Sequence, residues 1–223
     1  DQVQVHTLYM GGGFGRRARA DYIGEAVEVS KAVGAPVQLT WMREDDMQQD
    51  WYRPASRTRF TAGLNAEGWP VALTSRIVCP PFGGLREGLA RTGVEGISDM
   101  PYEIANMLVD YHAEDPGIPV SYWRSVGYSQ NIFFAESFLD EIAAAGKKDP
   151  LELRLRLLAK QPRMLGALNL AAEKSGWGTS LPAGHGRLVA LDPPRDRVAR
   201  CRPRRGSRRV PPPPVAALSH RPV

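Results

Sequence analysis

From Gly184 to Val223 the chain has no Phe, Tyr, Trp, Ile, Met or Lys, and Arg and Pro supply 18 of the 40 residues. Such a segment has too little apolar side chain to offset the entropy of ordering it. The core of this protein is therefore expected within residues 1–183. The composition changes abruptly after Leu181-Pro182-Ala183. A GC-rich gene read out of frame yields mostly Arg, Pro, Ala, Gly and Val. Residues 184–223 are accordingly read as frameshifted, with a disordered basic tail as the alternative. The formal net charge of +5 resides in the same stretch: it holds ten Arg and two Asp, while residues 1–183 hold 19 basic and 22 acidic side chains. Global basicity thus says nothing about the folded part, and no nucleic-acid partner is expected.

Other classes fall away on simple grounds. No apolar run approaches the roughly 18 residues that a membrane-spanning helix requires, so no membrane span is expected. The two cysteines, Cys79 and Cys201, form no CxxC pattern or Cys/His cluster. A protein-ligated metal is not expected, and Cys79 reads as a small buried hydrophobe. The chain opens on Asp1 with strand-like alternation in residues 2–10. The numbering is expected to begin inside a fold, with any targeting peptide upstream.

The body reads as mixed α and β. Strand-like runs occur at 2–10, at Val37–Trp41, at 55–65 and 69–79 around the turn Asn65-Ala66-Glu67-Gly68, and at 105–114. Asp21 is placed to cap a helix over 22–33, and Gly34 suits a left-handed stop. Ser129 is placed to cap a second helix that Gly146 ends. Asp149-Pro150 opens a third, and a fourth follows Pro162. Strands and helices do not alternate regularly, so the fold class expected is α+β and not a doubly wound sheet.

Three segments carry potential chemistry. Gly11-Gly12-Gly13-Phe14-Gly15-Arg16-Arg17 lies between a strand and a helix. Glycines let backbone N–H groups approach an anionic or oxo ligand closely. The dinucleotide pattern GxGxxG fails, because Arg16 stands where its third glycine belongs. A ligand-free turn explains the same residues; a nucleotide-binding oxidoreductase using this loop is the competing function, and a nucleic-acid binder using the basic tail is the other alternative. Trp123-Arg124-Ser125-Val126-Gly127-Tyr128-Ser129-Gln130-Asn131 puts an arginine in a loop before a helix, an arrangement suited to anions or to ordinary solvation. The segment 43–54 gathers four carboxylates and reads as a solvated loop with ion pairs from Arg43 and Arg53.

Together and in this order, GGGFGRR, then TW-x-RED-D-x-Q-x-D-x-YRP, then YWRSVGYSQN and F-x-E-S-F-x-DE resemble the large subunit of isoquinoline 1-oxidoreductase-type molybdenum hydroxylases. These belong to the xanthine dehydrogenase/aldehyde oxidase superfamily, and the resemblance covers about residues 1–183. It implies a partial molybdenum-cofactor-binding domain. The backbone of Gly12, Gly13, Phe14 and Gly15 would lie against the oxo and sulfido face of the molybdenum, and Arg124 and Ser125 would lie close to the cofactor. The cofactor implied is molybdopterin as the cytosine dinucleotide. The implied partner is an iron–sulfur small subunit that accepts the electrons. The substrate is an N-heteroaromatic compound or an aldehyde, with water as oxygen donor. Xanthine dehydrogenases follow their glycine loop with Gly-Lys-Glu, where this chain has Arg16-Arg17-Ala18, which argues against a purine. The family's general-base Glu sits in a Gly-x-Gly-Glu segment that does not occur in this chain. No catalytic residue is expected within these residues, and the isolated chain is expected to be inactive. The compartment, bacterial periplasm or cytoplasm, stays open.

Overall fold

The computed structural model describes residues 9–82, 91–115 and 117–191, and the backbone of 202–205. Residues 2–8 of the strand expected at 2–10 and residues 83–90 of the glycine-rich stretch lie outside these residues, and Tyr9 and Met10 are not in a strand. The centre is a three-stranded sheet of order β1 (Arg57–Leu64), β2 (Pro70–Cys79), β3 (Asn106–Ala113). β1 and β2 form the expected antiparallel hairpin, with Asn65 Oδ1 accepting the Trp69 N–H at 2.8 Å across its turn. β3 returns parallel to β2.

Alternation along β2 decides the layers. Leu73, Ser75, Ile77 and Cys79 are buried, while Thr74 and Arg76 face outward. Cys79 is 1% exposed, and burial pushes its thiol up to about 11, as befits a packed hydrophobe. Against the inner face lies the long helix that presents Asn131, Ala135, Leu139, Ile142 and Ala143 as one stripe. The helices in chain order are α1 (Asp21–Val33), α2 (Arg43–Gln49), α3 (Arg91–Val94), α4 (Tyr128–Ala145), α5 (Pro150–Leu157) and α6 (Pro162–Ser175). Leu153, Leu157 and Leu168 join Leu73, Leu139 and Ile142 in the larger core, and Phe82, Val94 and Ile97 join Ile77 and Cys79 in the smaller. Helices and sheet do not alternate, so the fold is α+β.

Asp149 caps α5 as expected, accepting the N–H groups of Leu151 and Glu152. Other local expectations need correction. α4 starts at Tyr128 with Gly127 as its cap residue, so Ser129 lies inside the first turn and its hydroxyl is spent elsewhere. α1 starts at Asp21 itself, and that carboxylate also serves partners across the chain. Val37–Trp41 forms no ladder among the described residues, and a strand exists only by its partner. Residues 43–49 are helical, not a loop, although none of them is buried. Three acidic residues in the first turn and a bond from the Met42 N–H to Asp45 Oδ2 at 2.9 Å hold that end.

The packed chain also runs past Ala183. Val189 is 1% exposed and Leu191 3%, both in the larger core. The Arg187 side chain donates to the carbonyls of Ser175 and Thr179. The backbone of β4 (His185–Leu188) pairs with β5 (Arg202–Arg205).

The hairpin turn is clamped onto the end of α4. A Cβ added at Gly146 would lie 2.1 Å from the Gly68 carbonyl oxygen. Gly146→Ala is therefore expected to lower stability by about 1–3 kcal/mol, although its φ of −80° tolerates alanine. A urea titration checks this, and an unchanged midpoint would show that the turn is not held there.

Candidate functional site

The three segments singled out in the sequence meet in the fold. Gly15 has φ 92°, and a Cβ there would sit 2.3 Å from the Tyr122 carbonyl oxygen and 2.7 Å from the Trp123 nitrogen. Only a glycine in the positive-φ region lets the two backbones touch. Tyr52 bridges to Val120, its N–H donating to the Pro119 carbonyl at 2.9 Å and its carbonyl accepting from Ser121 at 3.1 Å.

Three arginines lock this junction. Arg16 pairs with Asp21 at 2.9 Å and with Asp50 at 2.6 Å. Arg19 donates to Ser121 Oγ at 3.0 Å and to the Phe82 carbonyl, with its guanidinium 4.4 Å from the centre of the Trp51 ring. Arg53, expected in an ion pair, donates instead to the carbonyls of Arg124 and Val126 and to Ser129 Oγ. Burial lowers its guanidinium. The expected Arg43 ion pair is present, with Asp46 at 2.7 Å.

The loop that Arg53 grips is bent unusually. Of the four described non-glycine residues with positive φ, three are Phe14 (50°), Ser125 (67°) and Val126 (46°). Each such residue costs on the order of 1–3 kcal/mol and survives only where its surroundings over-determine it. Here Arg53 holds the carbonyls, Glu95 Oε1 accepts the Gly127 N–H at 2.7 Å, and the Val126 N–H donates to the Trp123 carbonyl at 2.8 Å. Strain is thus concentrated in the two loops that abut at Gly15.

The same two loops keep unspent hydrogen-bonding capacity. Among the described residues, no group accepts from the N–H of Gly12, Gly13, Phe14 or Gly15. Nothing lies within 4 Å of a Cβ built at Gly11. Arg124 is exposed and has no ion pair among the described residues. Ser125 Oγ contacts Ser129 Oγ and the Arg124 carbonyl. Free donors, glycine backbone and the exposed Arg124 suit an anionic, oxo-bearing group. The candidate residues Gly12, Gly13, Phe14, Gly15, Arg124 and Ser125 therefore fall on two adjoining loops. Sequence reasoning missed Arg19, Asp21, Trp51 and Arg53 as the ties between them, because each acts on residues far along the chain.

Asp21 reports on this junction. Burial alone would raise its carboxyl, but hydrogen bonds from Trp51, at 2.6 Å, and Arg16 outweigh that and hold it below the usual 3.8. A depressed folded-state value stabilises above the unfolded one and is lost as pH falls through it. Asp21→Asn is expected to lower stability by about 1 kcal/mol at neutral pH. That deficit should close below pH 3.8, as the wild-type carboxylate takes up its proton. Melting curves across acid pH check this, and a gap that persists there would mean the carboxylate charge is not what matters.

Comparison with known proteins gives the chain a family. Residues 1–158 match the molybdopterin cofactor-binding domain. The chain is 27% identical to the beta subunit of isoquinoline 1-oxidoreductase from Brevundimonas diminuta, over 86% of this chain and 26% of that protein. It is 35% identical to a membrane-bound aldehyde dehydrogenase (pyrroloquinoline-quinone) of Gluconacetobacter polyoxogenes, over 81% of this chain and 27% of that one. A subunit of nicotinate dehydrogenase from Pseudomonas putida matches at 29% over 79% of this chain and 16% of its own length. The chain thus spans about a quarter or less of these relatives. Among solved structures, quinoline 2-oxidoreductase from Pseudomonas putida superposes with a TM-score of 0.63 at 19% identity, over 81% of this chain and 27% of that one. Aldehyde oxidoreductase from Desulfovibrio gigas gives 0.58 at 21%, over 81% and 22%. The chain belongs to the molybdopterin cofactor-binding domain family.

Proposed function

We propose that this chain forms one wall of the cofactor pocket in the large subunit of a molybdenum-dependent oxidoreductase. The observation that carries the reading is the concentration of positive-φ residues and unspent backbone donors in two loops joined at Gly15. The N–H groups of Gly12, Gly13, Phe14 and Gly15 would hold the cofactor, and Arg124 and Ser125 would orient it from the adjoining loop. Arg16, Arg19 and Arg53 are positioning residues that fix the spacing of the loops. The cofactor, molybdopterin as its cytosine dinucleotide, supplies two-electron redox chemistry when bound. The names of the relatives, which include an isoquinoline, a nicotinate and an aldehyde enzyme, favour an N-heteroaromatic or aldehyde substrate. Water supplies the oxygen, and the electrons leave to an iron–sulfur small subunit. Two relatives are themselves named as subunits of larger enzymes. The chain holds no Gly-x-Gly-Glu base, so in isolation it does not turn over.

A chimera tests the wall directly. Residues 9–158 of this chain replace the matching stretch of the Brevundimonas protein, and molybdenum is measured in the purified product by mass spectrometry. The chimera is expected to retain metal and its Gly13→Val variant to lose most of it, because a Cβ at Gly13 already meets Arg17 at 3.4 Å and valine crowds the loop. Equal molybdenum in both would refute the cradle. Saturable NAD, FAD or ATP binding that Gly13→Val abolishes would favour the nucleotide reading instead.

A further inference from the structure

α4 begins at a residue that cannot cap it. Gly127 is buried and has no side-chain oxygen to offer the first turn. Its own N–H also needs an acceptor, because a shielded donor without one loses water and gains nothing. The usual local remedy is a glutamate or glutamine three residues into the helix, which reaches back to the N–H of the cap residue. That position holds Gln130, yet neither of its shielded amide atoms has a hydrogen-bond partner. Glu95 takes the place instead, from 32 residues earlier in the chain, and its Oε1 accepts the Gly127 N–H at 2.7 Å.

The segment that carries Glu95 belongs to the core. Its neighbours Val94 and Ile97 are buried in the smaller cluster. The wholly buried Asn131 donates from its amide to the carbonyls of Gly93 and Glu95, each at 2.9 Å. The Tyr128 hydroxyl donates to Asp99, whose other oxygen accepts the Gly96 N–H at 2.6 Å. Gly127 approaches so closely that a Cβ there would overlap the Thr92 carbonyl oxygen. From another segment, Arg53 donates to the carbonyls of Arg124 and Val126 at 3.2 and 3.3 Å. The loop 124–127 is thus held between a cation on its carbonyls and a carboxylate on its last N–H. Between these grips lie Ser125 and Val126, whose positive φ values persist only where the surroundings enforce them.

We propose that Glu95 is a positioning residue of the cofactor site, which caps α4 from outside the helix and so references the Arg124–Ser125 loop to the core. The inference rests on the reading of that loop as part of a cofactor wall. Glu95 acts through one bond, as the acceptor of the Gly127 N–H. A glutamine oxygen accepts the same bond, whereas alanine offers none.

Gln130 could take up the freed N–H, so the changes are made in a Gln130→Ala chain. That chain is itself expected to behave as the parent, because the Gln130 amide makes no bond. Hydrogen exchange on the full chain reads the brace without any cofactor. Glu95→Ala is expected to speed exchange at Val126 and Gly127 by about tenfold, the loss of one ordinary hydrogen bond, while β2 and the rest of α4 stay protected. Glu95→Gln is expected to restore the slow exchange. The same changes in the chimera with the Brevundimonas protein read the cofactor: alanine should lose most of the molybdenum and glutamine should keep it. Unchanged exchange with alanine overturns the proposal, and so does a uniform loss of protection, which would make Glu95 a residue of the fold at large. Glutamine as loose as alanine overturns the assignment to the Gly127 bond. Faster exchange with unchanged molybdenum, in a chimera whose Gly13→Val form loses it, overturns the role of Glu95 and leaves the cofactor wall standing. If Gly13→Val also keeps its molybdenum, the wall itself fails and this inference with it.

Discussion

Replacing Arg154 with methionine is expected to destabilise the chain by about 3–5 kcal/mol, the cost of stripping one partner from a buried charge pair. Arg154 is wholly buried, and its guanidinium ties several parts of the chain together. Nε and Nη2 bind the carboxylate and carbonyl of Glu136, each at 2.9 Å. Nη1 binds Asp140 at 2.7 Å and the Pro150 carbonyl at 3.0 Å. Glu136 also accepts from the Tyr102 hydroxyl at 2.7 Å and from the backbone of Leu191. α4, α5, the segment before β3 and the chain beyond β4 therefore converge on two side chains. Burial alone would lower the guanidinium, but Glu136, Tyr102 and Asp140 win, and it is raised. Burial pushes the Glu136 carboxyl up, and Arg154 and Tyr102 pull back without cancelling that.

The direction of the Glu136 shift gives the variant a signature that lost packing would not. Without Arg154 the carboxyl rises further, and a raised folded-state value favours the protonated form. The deficit of Arg154→Met should narrow as pH falls from neutral toward the usual 4.5, because protonation removes the stranded charge. Arg154→Met/Glu136→Gln should recover a sizeable part of the loss at neutral pH. The glutamine still accepts from Tyr102 and carries no charge. Denaturant titrations of the two variants at neutral and acid pH measure both effects. A deficit that is flat with pH and unrelieved by the second change would assign Arg154 a packing role only.

The parts legible in the sequence were those set by neighbours along the chain. The β1–β2 hairpin follows from alternation and its Asn-Ala-Glu-Gly turn, and α5 follows from Asp149-Pro150. α2 was hidden because a helix with no buried face leaves no apolar period, although its three early acids were visible. Val37–Trp41 carries a strand composition without a strand partner among the described residues. Val189 and Leu191 were lost in an Arg/Pro background, since two apolar residues make no pattern, yet a preformed core accepts them. The site divides in the same way. Its glycines and Arg124 stood out as motifs, and the resemblance joined the motifs to one cofactor. The meeting of Gly15 with Tyr122 and Trp123 spans more than a hundred residues and could be found only in the fold.

That meeting yields the second large effect. Gly15→Val is expected to separate the two site loops. Its φ of 92° places any side chain in the strained region, at a cost of about 1–3 kcal/mol. The new Cβ would also overlap the Tyr122 carbonyl oxygen, 2.3 Å away, a backbone atom that no rotamer change can move. Overpacking of that kind costs about as much again. The chain has a local way out, because the glycine loop is anchored mainly by Arg16 and Arg19 while the core lies elsewhere. Relief by displacement of residues 11–19 should therefore win over global unfolding. The readout is Trp51, whose ring lies under Arg19 and whose indole nitrogen donates to Asp21. Its fluorescence should shift toward that of a solvated indole, and hydrogen exchange should quicken at Tyr52 and Ser121, while β2 and α4 stay protected. Gly15→Ala carries the same overlap with a smaller side chain and should show the same pattern more weakly. Uniform loss of protection across the sheet would mean the junction is part of the global fold, and the two loops would then not be a separately adjustable wall.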